Sequence, residues 1–369
     1  MKNSKIRLTQ FSPGAGCGCK IAPNELEKIL KGSRSQKSFE KLLVGNESKD
    51  DAAVFDIGDG KAVISTTDFF TPIVDDAYDF GRIAATNAIS DIYAMGGSPI
   101  MAIAILGWPL DKLPTELATD VISGARVVCD VAGIPLAGGH SINISEPIFG
   151  LAVTGIATTQ SIRKNSGATS KCKLFLTKPL GIGLVTTAEK FGIAKAEHKQ
   201  LALNLMTTLN NIGVPLAQID GVRAITDVTG FGLLGHALEM AEGSNLDIVI
   251  EYSAVPQIEG TEYYIEQEAI PGGTGRNFAS YGDKVSSMTP QQRALLCDPQ
   301  TSGGLLVAAE PQSIEYIKAL AQREGVLMQE IGYFRARSID TKSSVEGNIN
   351  IEADGLQNFD KHHRIVVNS

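Results

Sequence analysis

Residues 158–170 read T-T-Q-S-I-R-K-N-S-G-A-T-S, thirteen residues with one large apolar side chain, between two regularly apolar halves. A stretch so poor in buriable surface cannot cross a core, so it divides the 369-residue chain into two folding units. In the first unit, Ala52–Ile57 and Ala62–Thr67 read as strands around a Gly58-Asp59-Gly60 turn. Phe80–Met95 then reads as a helix stopped by Gly96-Gly97, Ile100–Trp108 as a strand, Pro114–Ala132 as a helix and Glu146–Thr158 as a strand. The second unit repeats the style, with strands at Lys173–Thr177, Val222–Thr226, Leu246–Tyr252 and Gly304–Ala308, and helices near Leu201 and over Leu233–Ala241. Strands alternating with helices predict an α/β (α+β) fold in two domains. The expected organisation is a mobile glycine-rich segment at 1–20, an N-terminal domain at 21–157 opened by a helix from Pro23, a linker at 158–170, a C-terminal domain at 171–345 and a polar tail at 346–369. Val345–Ile351 reads as an edge strand, and His362 and His363 as exposed.

Composition narrows the function. A formal charge of −8 argues against a broad nucleic-acid surface, which needs clustered Lys and Arg. M-K-N-S-K-I-R-L-T-Q lacks the apolar stretch of a secretory signal, and the longest apolar run, Ile100–Leu106, is too short to span a bilayer, so the expectation is a cytoplasmic protein without membrane or direct nucleic-acid partners. An odd count of five cysteines, at 17, 19, 129, 172 and 297, suits a reducing compartment.

Two of those cysteines lie in G-A-G-C-G-C-K, residues 14–20, where alternating glycines work against regular structure. A disulfide or zinc half-site, a phosphate cradle and a reactive thiol beside a charge are the three readings. Structural zinc wants four ligands, usually as two close pairs, and only Cys17 and Cys19 are close, so the reactive thiol leads.

The carboxylates are more informative. If Asp59-Gly60 is a two-residue turn with Gly58 and Lys61 paired, the ladder sets Asp51 opposite Asp68, with Asp50 adjacent. Facing like charges destabilise a hairpin unless a cation compensates them. Asn87 and Asp91 share one face of the following helix, and Asp227 opens the turn T-D-V-T-G-F-G. Each acid alone is equally well read as a helix-end or turn residue. Together, with oxygen donors only, they predict Mg²⁺ or Mn²⁺ shared with substrate phosphates. No G-x-x-x-x-G-K-[ST] is present. G-F-G-L-L-G at 230–235 does match a dinucleotide fingerprint, but Asp227 and Thr229 stand where a pyrophosphate would approach. Three further glycine-rich stretches, 137–141, 271–277 with Arg276, and 298–304, read as loops with anion-nest potential, and His140 as a phosphate donor or a structural histidine.

Taken in order, G-C-G-C-K, D-D-A-A-V, S-T-T-D-F-F, R-I-A-A-T-N-A-I-S-D-I-Y-A-M-G-G, G-G-H-S, T-D-V-T-G-F-G-L-L-G-H, G-G-T-x-R-N and D-P-Q-T-S-G-G-L-L resemble the selenophosphate synthetase (selenide, water dikinase) family from about residue 7 to about 310. The resemblance implies conversion of ATP, selenide and water to selenophosphate, AMP and orthophosphate with Mg²⁺, and admits a monovalent cation. It implies the aminoimidazole ribonucleotide synthetase-like fold, with homodimers formed through the N-terminal mixed sheets and an α/β C-terminal domain. Carried over by residue, Cys17 is the catalytic thiol and Lys20 the essential lysine. Asp51, Asp91 and Asp227 are magnesium ligands, with Asp68 and Asn87 at the metal and polyphosphate site, and Lys20, Ser48, Lys49, Asp50, Gly139, His140 and Ser141 contact the nucleotide. Ser48-Lys49 replaces the Thr-Arg of many members, and Gly275 replaces a larger residue. Lys20 is expected to lower the pKa of Cys17. The rivals are a superfamily kinase with another acceptor, such as a thiamine monophosphate kinase, a dinucleotide-binding oxidoreductase, and a catalytically silent nucleotide binder.

Overall fold

The computed structural model describes residues 6–12, 14–16, 18, 20, 21, 23–31, 38–46, 49–337 and 363–369. Cys17, Cys19, Ser48, His362 and the expected strand Val345–Ile351 lie outside these residues. Helix α1 (Pro23–Lys31) precedes a domain built from β1 (Leu42–Val44), β2 (Ala53–Gly58), β3 (Lys61–Phe70), α2 (Ala77–Ala94), β4 (Ser98–Trp108), α3 (Thr115–Val131), β5 (Leu136–Asn143) and β6 (Ile148–Thr158). The strands form one mixed sheet in the order β1-β2-β3-β6-β4-β5, in which β4 and β5 run parallel.

Helix α2 starts where the Asp76 side chain accepts the Asp79 amide at 3.1 Å, and it ends before Gly96, whose φ of +76° reverses the chain. It is buried along nearly its whole length, packed between β3, β6 and α3. That burial depends on small residues. A Cβ on Gly81 would lie 1.8 Å from the Val121 carbonyl oxygen, and one on Gly124 2.0 Å from that of Tyr78, so any side chain there would push α2 and α3 apart.

The second domain contains β7 (Lys173–Leu176), α4 (Ile182–Lys190), α5 (Ala196–Met206), α6 (Gly213–Leu216), β8 (Val222–Asp227), α7 (Gly232–Gly243), β9 (Leu246–Glu251), α8 (Thr261–Glu266), α9 (Gly272–Tyr281), α10 (Pro290–Leu296), β10 (Leu305–Ala309), α11 (Ile314–Glu324), β11 (Gln329–Ala336) and β12 (Ile365–Asn368). Its sheet runs β12-β9-β11-β7-β10-β8. Strand β12 adds to β9 in parallel, so the end of the expected polar tail is part of the C-terminal sheet. Leu174, Leu176, Ala224 and Leu306 pack beneath α7 on one face, while Phe175, Ile225, Leu305 and Val307 pack beneath α6 and α11 on the other.

Three local expectations change. Residues 137–141 are not a loop but the middle of β5, and 271–277 open helix α9. The fingerprint G-F-G-L-L-G is not in a Rossmann unit, because β8 pairs antiparallel with β10 and β9 lies four strands away. Parallel neighbours flanking the helix are what a dinucleotide site requires, so that rival is excluded on topology.

The stretch 158–170 is a weld rather than a free tether. Asn165 is fully buried, its amide donates to Asp50 Oδ1 at 2.7 Å and its Nδ2 to the Lys49 carbonyl at 2.8 Å.

Candidate active site

The β2–β3 hairpin makes the turn but not the expected ladder. Gly58 pairs with Lys61, then the register slips by one, so that Asp56 faces Ala62 and Ala53 faces Ser65. Gly58, Asp59 and Gly60 all have positive φ (92°, 52° and 69°), and Asp56 Oδ1 accepts the Gly58 amide at 2.8 Å, which builds a bulge at Ile57. A one-residue slip exchanges faces. Extended to its end, this register sets Asp51 across from Thr67 rather than Asp68, and Asp51 lies beyond the first residue of β2.

Asp51 turns instead to the seam between the domains. Its Oδ1 accepts the Thr226 hydroxyl of β8 at 2.8 Å, while Oδ2 is buried without a hydrogen-bond partner. Asp227, at the end of β8, accepts the Ser90 hydroxyl of α2 at 2.5 Å. Thus each domain's acid is held by the other domain's hydroxyl. Asn210 donates through the same Nδ2 to Ser90 Oγ and to the Gly303 carbonyl, both at 2.8 Å, tying this crossing to the 298–304 loop.

Asp91 and Asp68 approach from the N-terminal side. Thr66, on β3, donates to Asp91 Oδ2 at 2.5 Å. Asp68 Oδ2 accepts both Lys20 Nζ at 2.9 Å and Asn87 Nδ2 at 2.7 Å, and Asn87 Oδ1 in turn accepts the Ser302 amide at 2.8 Å. The α2 spacing of Asn87, Ser90 and Asp91 therefore presents three polar groups to one seam.

Burial chiefly pushes the Asp51 carboxyl well above its usual range, and Asp227 and Asp91 add like charge. Asp91 is likewise raised well above that range by burial, then by Asp227 and Asp68. Asp227 rises through burial, opposed by the Ser90 hydroxyl, His236 and Lys20. Asp227 thus adds like charge to both Asp51 and Asp91, and Lys20 opposes the rise at Asp91 and Asp227. Among the described residues, no three Asp, Glu, His or Cys side chains form a ready-made metal cage. The acids converge without closing a coordination shell.

Several contributors carried no motif signal of their own. Thr226, Ser90 and Thr66 are ordinary hydroxyl residues until the fold sets them against acids. Lys178 is buried and donates to the carbonyls of Leu205, Thr208 and Ser302 at 3.0, 2.7 and 2.9 Å; burial lowers its pKa to about 7 against the opposing pull of Asp227. His236 Nε2 lies 3.3 Å from Thr229 Oγ1, and its Nδ1 lies 3.1 Å from Glu239 Oε2.

Other predicted positions lie apart. Lys49 adopts φ +56° and Asp50 serves the Asn165 weld. Gly139 occupies the same sheet row as Asp68 by way of Leu151 and Ala104, three strand spacings or about 14 Å away. His140 and Ser141 are exposed beside it on β5.

Both domains match the AIR synthase related proteins, the N-terminal domain family over residues 49–157 and the C-terminal domain family over 171–341. A solved structure of thiamine-monophosphate kinase from Stenotrophomonas maltophilia K279a shares that fold, with a TM-score of 0.60 and 17% identity over 86% of this chain and 94% of that one. Within this class the chain belongs to the selenide, water dikinase family. It is 59% identical over 332 residues to the Cronobacter sakazakii selenide, water dikinase, covering 90% of this chain and 96% of that one. Against the Yersinia pseudotuberculosis selenide, water dikinase the identity is 60% over 333 residues, 90% of this chain and 95% of the relative.

Proposed function

We propose that the domain seam converts ATP, selenide and water to selenophosphate, AMP and orthophosphate. Family membership supports the reaction, and one observation supports its location: Asp51, Asp91 and Asp227 are buried together, Asp227 raising the pKa of both Asp51 and Asp91, beside a Lys20–Asp68 ion pair.

The seam fits a hard divalent cation. Its donors are carboxylate oxygens, Asp51 Oδ2 has no hydrogen-bond partner, and the mutual repulsion is what a cation would relieve. Asp51, Asp91 and Asp227 would hold Mg²⁺, with Asp68 at its margin; a monovalent cation is admitted by the same oxygen-rich surroundings. When bound, the divalent ion neutralises charge on a transferring phosphoryl group. The chain's own groups orient. Thr226, Ser90 and Thr66 fix three carboxylates, Asn87 holds Asp68 to the Ser302 loop, and Lys20 brings a mobile positive charge to the phosphates. We assign Cys17 the thiol role in handling selenium, and Ser48, Lys49, Asp50, Gly139, His140 and Ser141 contacts to the nucleotide.

The bare face of the N-terminal sheet supports a homodimer. Phe55, Phe69, Ile103, Ile142 and Ile156 are 44–50% exposed. So apolar a sheet face calls for cover. No helix among the described residues is long and apolar enough to cross a membrane. We place the protein in the cytoplasm, where ATP is made and thiols stay reduced.

Phosphorus NMR of products from ATP and Mg²⁺, with and without selenide, tests the reaction. A selenium-bonded phosphate together with AMP is expected only when selenide is present; ADP as the sole product would refute it. Cys17→Ser should abolish selenophosphate formation, and parent-rate product from that variant would remove the thiol role.

A further inference from the structure

We propose that Arg276 is a positioning residue that docks the 14–20 segment onto the C-terminal domain; its effect on turnover, though not the docking itself, rests on the reaction assigned above. Three glycines in seven residues make this segment entropically expensive to order, so its placement needs specific anchors. Gly16 supplies one. Its amide donates to the Thr71 carbonyl at 3.0 Å, its φ is +51°, and an added Cβ would fall 2.5 Å from Thr301 Oγ1 and 2.6 Å from Ile73 Cδ1. Lys20 supplies another through Asp68. Between them the Gly18 carbonyl accepts Arg276 Nη2 at 2.8 Å, and a Cβ added to Gly18 would lie 3.8 Å from the Pro299 ring.

Arg276 is placed for this purpose and not for its own helix. It is the fifth residue of α9, yet its guanidinium folds back over the first: a Cβ on Gly272 would lie 3.4 Å from Nη1. The N-terminal end of a helix carries partial positive charge, where a cation is disfavoured. The hydrogen bond to a carbonyl across 258 residues of sequence offsets that cost. The anchor also stands on a rigid base, since Asn277 donates to the Gly230 and Cys297 carbonyls at 2.9 and 3.1 Å and Gly273 packs against Pro299. Gly16, Gly18 and Lys20 are therefore strapped to both domains, with Arg276 on the C-terminal side.

The test compares wild type, Arg276→Ala and Arg276→Lys by iodoacetamide labelling of Cys17 and Cys19, read by peptide mass spectrometry. The buried Cys129, Cys172 and Cys297 serve as internal controls for global opening. Arg276→Ala should label Cys17 and Cys19 about tenfold faster, as expected from losing a charged hydrogen bond. Arg276→Lys, retaining one donor, should fall between. Selenide-dependent turnover should decline in the same order, with affinity for an ATP analogue within about twofold of wild type by calorimetry. Equal labelling in all three proteins would overturn the proposal, as would lost turnover with unchanged labelling, which would make Arg276 a substrate contact. Faster labelling in a protein that makes no selenophosphate would uphold the docking role and refute the reaction.

Discussion

The two sheets share a fold style but not an environment. In the C-terminal domain, all five residues of β10 are buried, because α7 covers one face and α6 with α11 the other. In the N-terminal domain α2 and α3 cover one face, and Phe55, Phe69, Ile103 and Ile156 stand open on the other. The first sheet is complete as a core, whereas the second has surface to give to a partner. The acids lie where the two meet, so the site depends on how the domains are fastened as well as on either fold.

Burying a charge in each sheet breaks the comparison most directly. Val307→Asp should cost about 4–5 kcal/mol, enough to unfold the C-terminal domain in a urea titration. Ile103→Asp should leave the urea midpoint nearly unchanged and shift the light-scattering mass from dimer to monomer. A stable Val307→Asp protein would contradict the double cover, and an Ile103→Asp dimer would dismiss the bare face as the interface.

A buried cation inside the C-terminal domain gives the next effect. Lys178→Met leaves three carbonyls, the Ser302 one buried, without their ammonium and should destabilise the protein by about 2–4 kcal/mol in the same titration. Asp51→Asn separates function from stability. It should abolish Mg²⁺-dependent ATP turnover while raising the stability of the metal-free protein by about 1 kcal/mol, since it removes one of the repelling charges. Full activity in that variant would eliminate Asp51 as a metal ligand.

A pH slope comes from Asp298, whose carboxyl burial pushes up to about 8 despite donors from Gln300, Leu184 and Gly183. Its folded pKa is above the unfolded value of about 3.9. Between those values the folded state holds the extra proton, so this group's contribution is fully present below about pH 4 and is lost as pH rises toward 8. Asp298→Asn should flatten that fall in urea midpoints measured at pH 5, 6.5 and 8. Parallel pH curves for variant and parent would show that Asp298 titrates normally.

Much of the fold follows from local pattern. Strands β2–β4, β6–β10 and helices α1–α3, α5 and α7 stand within a few residues of where apolar periodicity sets them, because a buried face demands the same spacing wherever the element packs. Glycine was the weak signal. Gly139 sits in a strand against the Ala104 backbone and Gly273 starts a helix against the Pro299 ring, and each close contact selects the missing side chain. Periodicity carries no information about such contacts.

For the site, the sequence by itself determined the residue types: oxygen donors without histidine or cysteine companions at the acids, and a thiol and a lysine on a glycine-rich segment. Their ordered motifs were also enough to indicate the family. Only the tertiary structure decided who holds whom. The expected hairpin register is not the one the chain adopts, since three successive residues with positive φ inserted a bulge and Asp51 found Thr226 instead of Asp68. Hydroxyls such as Ser90 and Thr226 have no signature of their own, because their role arises from contacts across 137 and 175 residues of chain. Spacing along a chain reports neighbours on one helix or strand, and a seam between two domains is made of residues that are not neighbours in that sense.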